Sequence, residues 1–317
     1  MVSIQKDVTL KGYSNYKIGG RAKYFLNISN VDELIEGLRE WEKISETLPI
    51  FVLGAGTNLL IDDRGFGGLV IHPNIKFIKK ENGSVSVGAG VPIEDLLNFC
   101  AQNCLSGLEW GGGLPGTVGG AVRGNAGAFK GEIKDAIVQI VSIANIADKE
   151  KEPEIRKRNK VECKFDYRSS VFKKGEGKNE IIISAVLNLK KGNKKEIEEK
   201  IKDKIEYRKN RHPLEYPNIG SIFKNISLEK VPQKLLEQLK GSIKDDPFPL
   251  LPTAKLLAVA GLKGKKVGGA MVSQKHPNFI VNFNNATSED VKALIYKIKE
   301  IIKEKYEVEL EEEITIL

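Results

Sequence analysis

Cysteine is scarce. Cys100, Cys104 and Cys163 are the only three in 317 residues and form no C-x-x-C pair. That excludes a disulfide framework and fits a reducing compartment. Histidine is equally sparse: His72, His212 and His276 stand far apart, so no metal site is expected. No window approaches the ~20 apolar residues that span a bilayer. The opening MVSIQKDVTL also lacks the apolar stretch of a secretion signal. A soluble, cytoplasmic chain is therefore expected. Charge of one sign is in modest excess, 50 Lys and Arg against 42 Asp and Glu, and mostly as scattered lysine. The densest basic patch, KEKEPEIRKRNK at 149–160, is broken by glutamate and has no interleaved aromatics. It reads as a solvated loop or hairpin rather than a nucleic-acid surface, and a basic surface suits an anionic small substrate equally well.

The length allows two or three domains with their own cores. After Asn30, Val31, Leu34, Ile35, Leu38 and Trp41 recur at helical spacing. PIFVLGAGTNLLIDDRGFGGLVI then alternates strand-like runs with glycine turns and leaves no room for a helix. SVSVGAGV is a short strand, and PIEDLLNFCAQNC a helix with Pro92 near its start, its Cys100 and Cys104 filling core. IIISAVLNLKK is a further strand, and KGNKKEIEEKIKDKIEYRKNRHP a helix stopped by Pro213. Near the end, Thr287 and Asp290 make a capping box. It opens a helix with the stripe Val291, Leu294, Ile295, Ile298, Ile301 and Ile302, before a closing strand VELEEEITIL. The pattern divides the chain into α+β units at 1–75, 76–208 and 209–317.

Glycine, by contrast, is plentiful and clustered. In EWGGGLPGTVGGAVRGNAGAF, residues 109–129, Gly111, Gly113 and Gly116 satisfy G-x-G-x-x-G, and Asp135 lies roughly twenty residues on. A Rossmann loop must follow a buried strand and open a helix. Here the upstream segment reads as helix and turn, and VGGAVRGNAG is too rich in glycine to continue as a good helix. The spacing is therefore read as accidental. Glycine density also serves backbone that closely approaches a flat or anionic ligand. LGAGTNLL at 53–60 is a second loop of that type, with Thr57 and Asn58 as hydrogen-bonding tips. Either loop alone is an ordinary turn cluster. Together they suggest one long dinucleotide held without a Rossmann fold.

SNYKIGGRAKYF, VLGAGTNLLI, GLEWGGGLPGTVGGAVRGNAGAF, FDYRSSVFK, NIGSIFKN, AKLLAVAGLKGKKVGGAMVSQKHPNFIVN and LEEEITIL follow one another along nearly the whole chain. In that order they resemble the UDP-N-acetylenolpyruvoylglucosamine reductases (UDP-N-acetylmuramate dehydrogenases), flavoenzymes of peptidoglycan precursor synthesis. VSQKHPNFIVN resembles the second of their two subtypes. The resemblance implies an α+β fold: an FAD-binding half of the vanillyl-alcohol-oxidase type in two subdomains, then a C-terminal substrate-binding domain whose last strand returns to the active site. It implies FAD and NADPH as cofactors, UDP-N-acetylglucosamine enolpyruvate as substrate, and no nucleic-acid or membrane partner; a monomer is expected. The chain departs from the family pattern at Thr57, Gly124, Ser169 and Ile226, none of them a catalytic group.

In the family, NADPH reduces FAD, hydride passes from flavin N5 to C3 of the enolpyruvyl group, and an acid protonates C2. Negative charge develops beside the substrate carboxylate, so the site needs a cation and a proton. The resemblance assigns the proton to Ser221, with Lys224 and Asn225 as substrate contacts in the same loop. It assigns the cation to Arg168, with Tyr167 supporting it, and a catalytic carboxylate to Glu313. Each has a plainer reading: a turn serine, a surface arginine and a solvated acidic run. Strand alternation also puts Glu312, not Glu313, in phase with Val308, Leu310, Ile314 and Ile316. For the diphosphate, Arg211, Lys275 and His276 are candidates. FAD is assigned to Gly54, Ala55, Gly56, Thr57 and Asn58 on the pyrophosphate, and to Gly116, Thr117, Val118, Gly119 and Gly120 near the flavin; Arg21 and Arg123 are further candidates. Two other readings compete. An FAD-linked oxidase of the same fold would lack the Ser221–Arg168 combination, and a nucleotide- or RNA-binding protein would be colourless.

Overall fold

The apolar spacing after Asn30 does produce a helix, α1 (Val31–Ile44), and the Asn30 side chain caps it by accepting from Glu33 N–H. The structure is a computed structural model and describes residues 2–45, 47–81, 83–146 and 151–317. Residues 149 and 150, the start of the basic patch, lie outside the described residues. The chain forms two compact units. The first comprises Met1–Val8, Ala22–Ala55 and Phe66–Glu206; the second comprises Thr9–Arg21, Gly56–Gly65 and Tyr207–Leu317.

Among the described residues the first unit holds two two-stranded sheets and two larger ones. One has the order Gln5–Thr9, Arg21–Ile28, Phe66–Pro73, Ile50–Val52, and its last three strands run parallel. The other is antiparallel, ordered Glu154–Asn159, Ile137–Ala144, Ile181–Asn188, Ser84–Gly88, Ile78–Glu81. Strand 181–188 is apolar on both faces. Ile181 and Ile183 join Leu26, Leu34, Leu38, Trp41 and Ile71 in one core. Ile182, Ala185 and Leu187 face a second core with residues of α2 (Ile93–Gln102) and α3 (Val118–Gly124). Both faces of the strand are thus apolar, and the register irregularity at Ile183 shifts the alternation so that Ala185 and Leu187 share the face of Ile182.

Two expectations for this unit, for Cys104 and for VGGAVRG, need correction, and the reading of Asp135 as an accidental match gains a structural reason. Cys100 is buried on α2, but Cys104 lies beyond the helix end, exposed and at φ 56°, so only the former fills core. The glycine-rich VGGAVRG is helical after all. Val118, Ala121 and Val122 anchor its buried face, and a Cβ on Gly119 would stand 2.9 Å from the Ala89 Cβ. Tertiary packing overrides poor propensity there. Asp135, the apparent fingerprint acid, serves its own short helix instead, where its carboxylate accepts from Glu132 N–H in a capping box. The patch near 154–159 is the second strand of a hairpin, with Arg156 and Arg158 paired to the buried Glu180.

Helix α4 (Lys194–Arg211) starts at Asn193, whose side chain accepts from Lys195 and Glu196 N–H, and it stops before Pro213. The second unit then packs α5 (Gln233–Leu239), α6 (Thr253–Val259) and α7 (Ser288–Tyr306) with short sheets around one core. That core includes Tyr16, Leu60, Phe223, Leu256, Val272 and Ile298. The expected capping box at Thr287 and Asp290 is formed. The expected closing strand is mostly absent: only Thr315–Ile316 pairs as a strand, parallel to Leu59–Leu60, after a bend at Ile314. No helix among the described residues is long and apolar enough to cross a membrane.

Candidate active site

The two glycine loops meet in the first unit. A Cβ on Gly54 would lie 3.3 Å from Thr117 Oγ1, so the strand end at 54 abuts the N-cap of α3. The backbones on the two sides differ in what they have left to offer. Val118 N–H donates to Val91 O and Gly119 N–H to Ala89 O, both at 2.9 Å, and Gly120 N–H reaches Thr117 Oγ1. From Gly54 to Asn58, no backbone N–H donates to any described residue. Five successive backbone N–H groups are thus uncommitted among the described residues. The division between units falls inside this loop, with Gly54 and Ala55 in the first and Gly56, Thr57 and Asn58 in the second. Gly56 has φ +60°, and a Cβ there would sit 2.0 Å from Tyr13 O, so only glycine fits.

Arg168 belongs to the first unit, at the tip of a two-residue hairpin. Asp166 and Ser169 exchange both backbone hydrogen bonds, at 3.0 and 3.1 Å, leaving Tyr167 and Arg168 in the turn. Arg168 takes φ 53°, which an arginine adopts only where its surroundings hold it. Its Nη2 donates to Gly127 O at 2.8 Å, and its guanidinium carbon lies 5.1 Å from the Tyr167 ring centroid.

Ser221 and Glu313 belong to the second unit. Gly220, at φ +83°, turns the chain so that Ser221 bridges Phe279 and Ile222 N–H donates to Asn278 O. On the other side, Phe223 bridges Glu312, and Glu313 N–H donates to Ile222 O at 2.8 Å. Asn58 Nδ2 donates to Glu313 O at 3.2 Å, and Thr315 N–H donates to Asn58 O. This places Asn58, Ser221 and Glu313 along one strip of backbone. The Glu312 carboxylate is taken by Lys299 of α7 at 2.8 Å. Ser221 Oγ makes no hydrogen bond to any described residue.

The remaining candidates scatter within the second unit. Lys224 is largely buried and ion-paired with Glu311, and Asn225 Oδ1 accepts from Thr253 N–H. Arg211 is exposed and lies over the Tyr207 ring, while Lys275 Nζ donates to Lys209 O. His276 packs edge-on against Phe279, 4.7 Å between centroids, and its buried Nδ1 has no hydrogen-bond partner among the described residues. Desolvation pushes both His276 and the neighbouring His212 down to about 4, so neither carries charge at neutral pH. His276 can therefore offer a phosphate a hydrogen bond but not a cation. Arg123 in the first unit is also largely desolvated, which lowers its pKa. Sequence reasoning passed over Asn125 and Glu132, which are buried and hydrogen-bonded to each other behind the Arg168 hairpin. The signal available was Asn125 inside the short NAG run.

A model of FAD-binding domains matches residues 22–150, and a model of the UDP-N-acetylenolpyruvoylglucosamine reductase C-terminal domain matches residues 212–317. UDP-N-acetylenolpyruvoylglucosamine reductase of Lachnoclostridium phytofermentans is 35% identical over 314 residues, covering 97% of this chain and 91% of that protein. The chain belongs to the UDP-N-acetylenolpyruvoylglucosamine reductase family. The reductase of Clostridium tetani is 34% identical over 317 residues, 99% of this chain and 92% of its own length. The crystal structure of UDP-N-acetylenolpyruvylglucosamine reductase (MurB) from Thermus caldophilus superposes with a TM-score of 0.77 at 29% identity, covering 100% of this chain and 99% of that one. The fold is that of the reductase family: an α+β fold with an FAD-binding domain and a reductase C-terminal domain.

Proposed function

We propose that this chain reduces UDP-N-acetylglucosamine enolpyruvate to UDP-N-acetylmuramate with NADPH, as a cytoplasmic monomer. It is an FAD-dependent oxidoreductase of peptidoglycan precursor synthesis, as its family membership entails. The observation that carries the site assignment is the register of the two end segments, which sets Glu313 beside Ser221–Ile222. FAD suits the glycine loops on two grounds. The uncommitted N–H groups of Gly54–Asn58 match a pyrophosphate, and the Gly54–Thr117 approach lets one ligand touch both loops. Thr117, with Gly116 and Gly120, is assigned to the flavin end, while Val118 and Gly119 contribute shape, since their N–H groups are spent. FAD-binding subdomains at 1–75 and 76–208, ahead of a substrate domain at 209–317, belong to this reading, and one core of the first unit is drawn from 76–208 alone.

Bound FAD, once reduced, supplies the hydride for C3 of the enolpyruvyl group. Arg168, a fixed planar cation, offsets the charge that develops next to the substrate carboxylate, and Tyr167 holds its guanidinium. Ser221 gives its proton to C2, and Glu313 works alongside it in restoring that proton. Asn225 and Lys224 contact the substrate in the loop after Ser221, with Glu311 setting the lysine's orientation. Arg211 supplies charge for the diphosphate, and His276 a neutral hydrogen bond. Incubation of the purified protein with NADPH and the enolpyruvate tests this: mass spectrometry should find UDP-N-acetylmuramate. Failure to form it, with FAD bound, contradicts the assignment.

A further inference from the structure

We propose that Asn125, held by Glu132, is a positioning residue that fixes the strained Tyr167–Arg168 turn and so aims the guanidinium at the substrate carboxylate. The inference rests on Arg168 having the role proposed for it. Asn125 is fully buried at the C-cap of α3, with φ 43°. A left-handed cap alone would explain an asparagine at that position. It does not explain what the side chain does. Nδ2 donates to Asp166 O and to Glu132 Oε1, both at 2.9 Å, so both amide hydrogens are used. Asp166 O also accepts from Ser169 N–H, one of the two bonds that close the Arg168 hairpin.

Glu132 is itself buried and fastened. Its carboxylate pairs with Lys134 Nζ at 2.5 Å and accepts from Asp135 N–H in the capping box. The Asn125 amide is therefore anchored on one side by a fixed carboxylate and grips the hairpin on the other. Two further bonds run between the same segments: Arg168 Nη2 to Gly127 O at 2.8 Å, and Ser170 Oγ to Arg123 O at 2.7 Å. The hairpin is thus held at its base by Asn125, at its tip by Gly127 and beyond its end by Arg123. A left-handed arginine is costly and persists only where neighbours over-determine it. Of these three contacts, only the one from Asn125 uses a side chain of the 123–127 segment, so only it can be removed by substitution there.

The test uses the oxidised holoenzyme of Asn125→Gly, which tolerates the left-handed backbone while losing the amide. Calorimetric titration with UDP-N-acetylglucosamine enolpyruvate should show binding weakened about tenfold, the size expected for a lost buried hydrogen bond to a positioned group. UDP-N-acetylglucosamine, which lacks the carboxylate, should bind as to the wild type. In rapid mixing, flavin reduction by NADPH serves as a control for an intact flavin site, and reoxidation by the enolpyruvate should slow. In an Arg168→Ala background, Asn125→Gly should add no further loss, because the two act as one unit. Unchanged enolpyruvate binding in Asn125→Gly, equal weakening of both ligands, or a loss that adds to that of Arg168→Ala overturns the positioning role. If Arg168→Ala itself binds and reacts normally, the role of Arg168 is what fails. Asn125→Asp keeps the shape but cannot donate, and it repeats every comparison should the glycine variant lose FAD.

Discussion

Ser221 and Glu313 carry the sharpest claims at the scale of single residues. Replacing Ser221 by alanine should leave flavin reduction by NADPH nearly intact and slow enolpyruvyl reduction by roughly 10²–10⁴, the usual weight of a positioned acid. Stopped-flow measurement of the two half-reactions separates these, and unchanged turnover would show that Ser221 is not the acid. Glu313→Gln should impair the second half-reaction, whereas Glu312→Gln should not. Glu312 spends its carboxylate on Lys299 at the surface, a pair worth ~0–1 kcal/mol. Strand periodicity pointed to Glu312. The segment is not a regular strand: a bridge at Glu312 and a bend at Ile314 break the alternation on which that reading relied. His276 gives a third test. Its folded pKa, about 4, lies below the ordinary value of 6.5. Its contribution to stability is complete above pH 6.5 and is lost as pH falls towards 4, by up to about 1.4 kcal/mol per pH unit for the proton taken up. His276→Phe should therefore flatten the denaturant-midpoint profile between pH 6.5 and 4. An unchanged slope would refute the buried neutral state.

Among the elements, the glycine loops and the helix caps are the parts a substitution can probe. Gly56→Ala forces a Cβ into Tyr13 O at a left-handed position, whereas Gly54→Ala meets only Thr117 Oγ1 at 3.3 Å. The first should abolish retention of FAD on gel filtration or prevent folding, and the second should weaken FAD only modestly. Equal behaviour of the two would mean that the Gly56 conformation is dispensable. Thr287→Ala removes a complete capping box and should cost about 1 kcal/mol in chemical denaturation. Elements with strong local signals were legible: α1, α2, α4 and α7 follow from apolar spacing, caps and Pro213. Helix α3 was not, because its stability comes from Gly119 lying against Ala89 and from three buried side chains, all long-range facts. The Arg168 hairpin was equally hidden. Its base accepts a hydrogen bond from the Asn125 side chain, 41 positions from Asp166, and no local pattern reports that.

At the scale of the whole molecule, the ordered set of motifs made the family readable and the α+β class with it. What sequence order did not convey is that residues 9–21 and 56–65 cluster with the C-terminal part, so that GAGTN is divided between the two units. Ser221, Glu313 and Asn58 fall in one unit and Arg168 with Gly116–Gly120 in the other. The central claim is that hydride passes through bound FAD to the enolpyruvyl group. It is tested most directly by anaerobic spectroscopy of the purified protein. Flavin bands should be present or appear on adding FAD, bleach with NADPH, and return when UDP-N-acetylglucosamine enolpyruvate is added. A protein that takes up no FAD, or whose bleached flavin stays reduced in the presence of the enolpyruvate, contradicts the account.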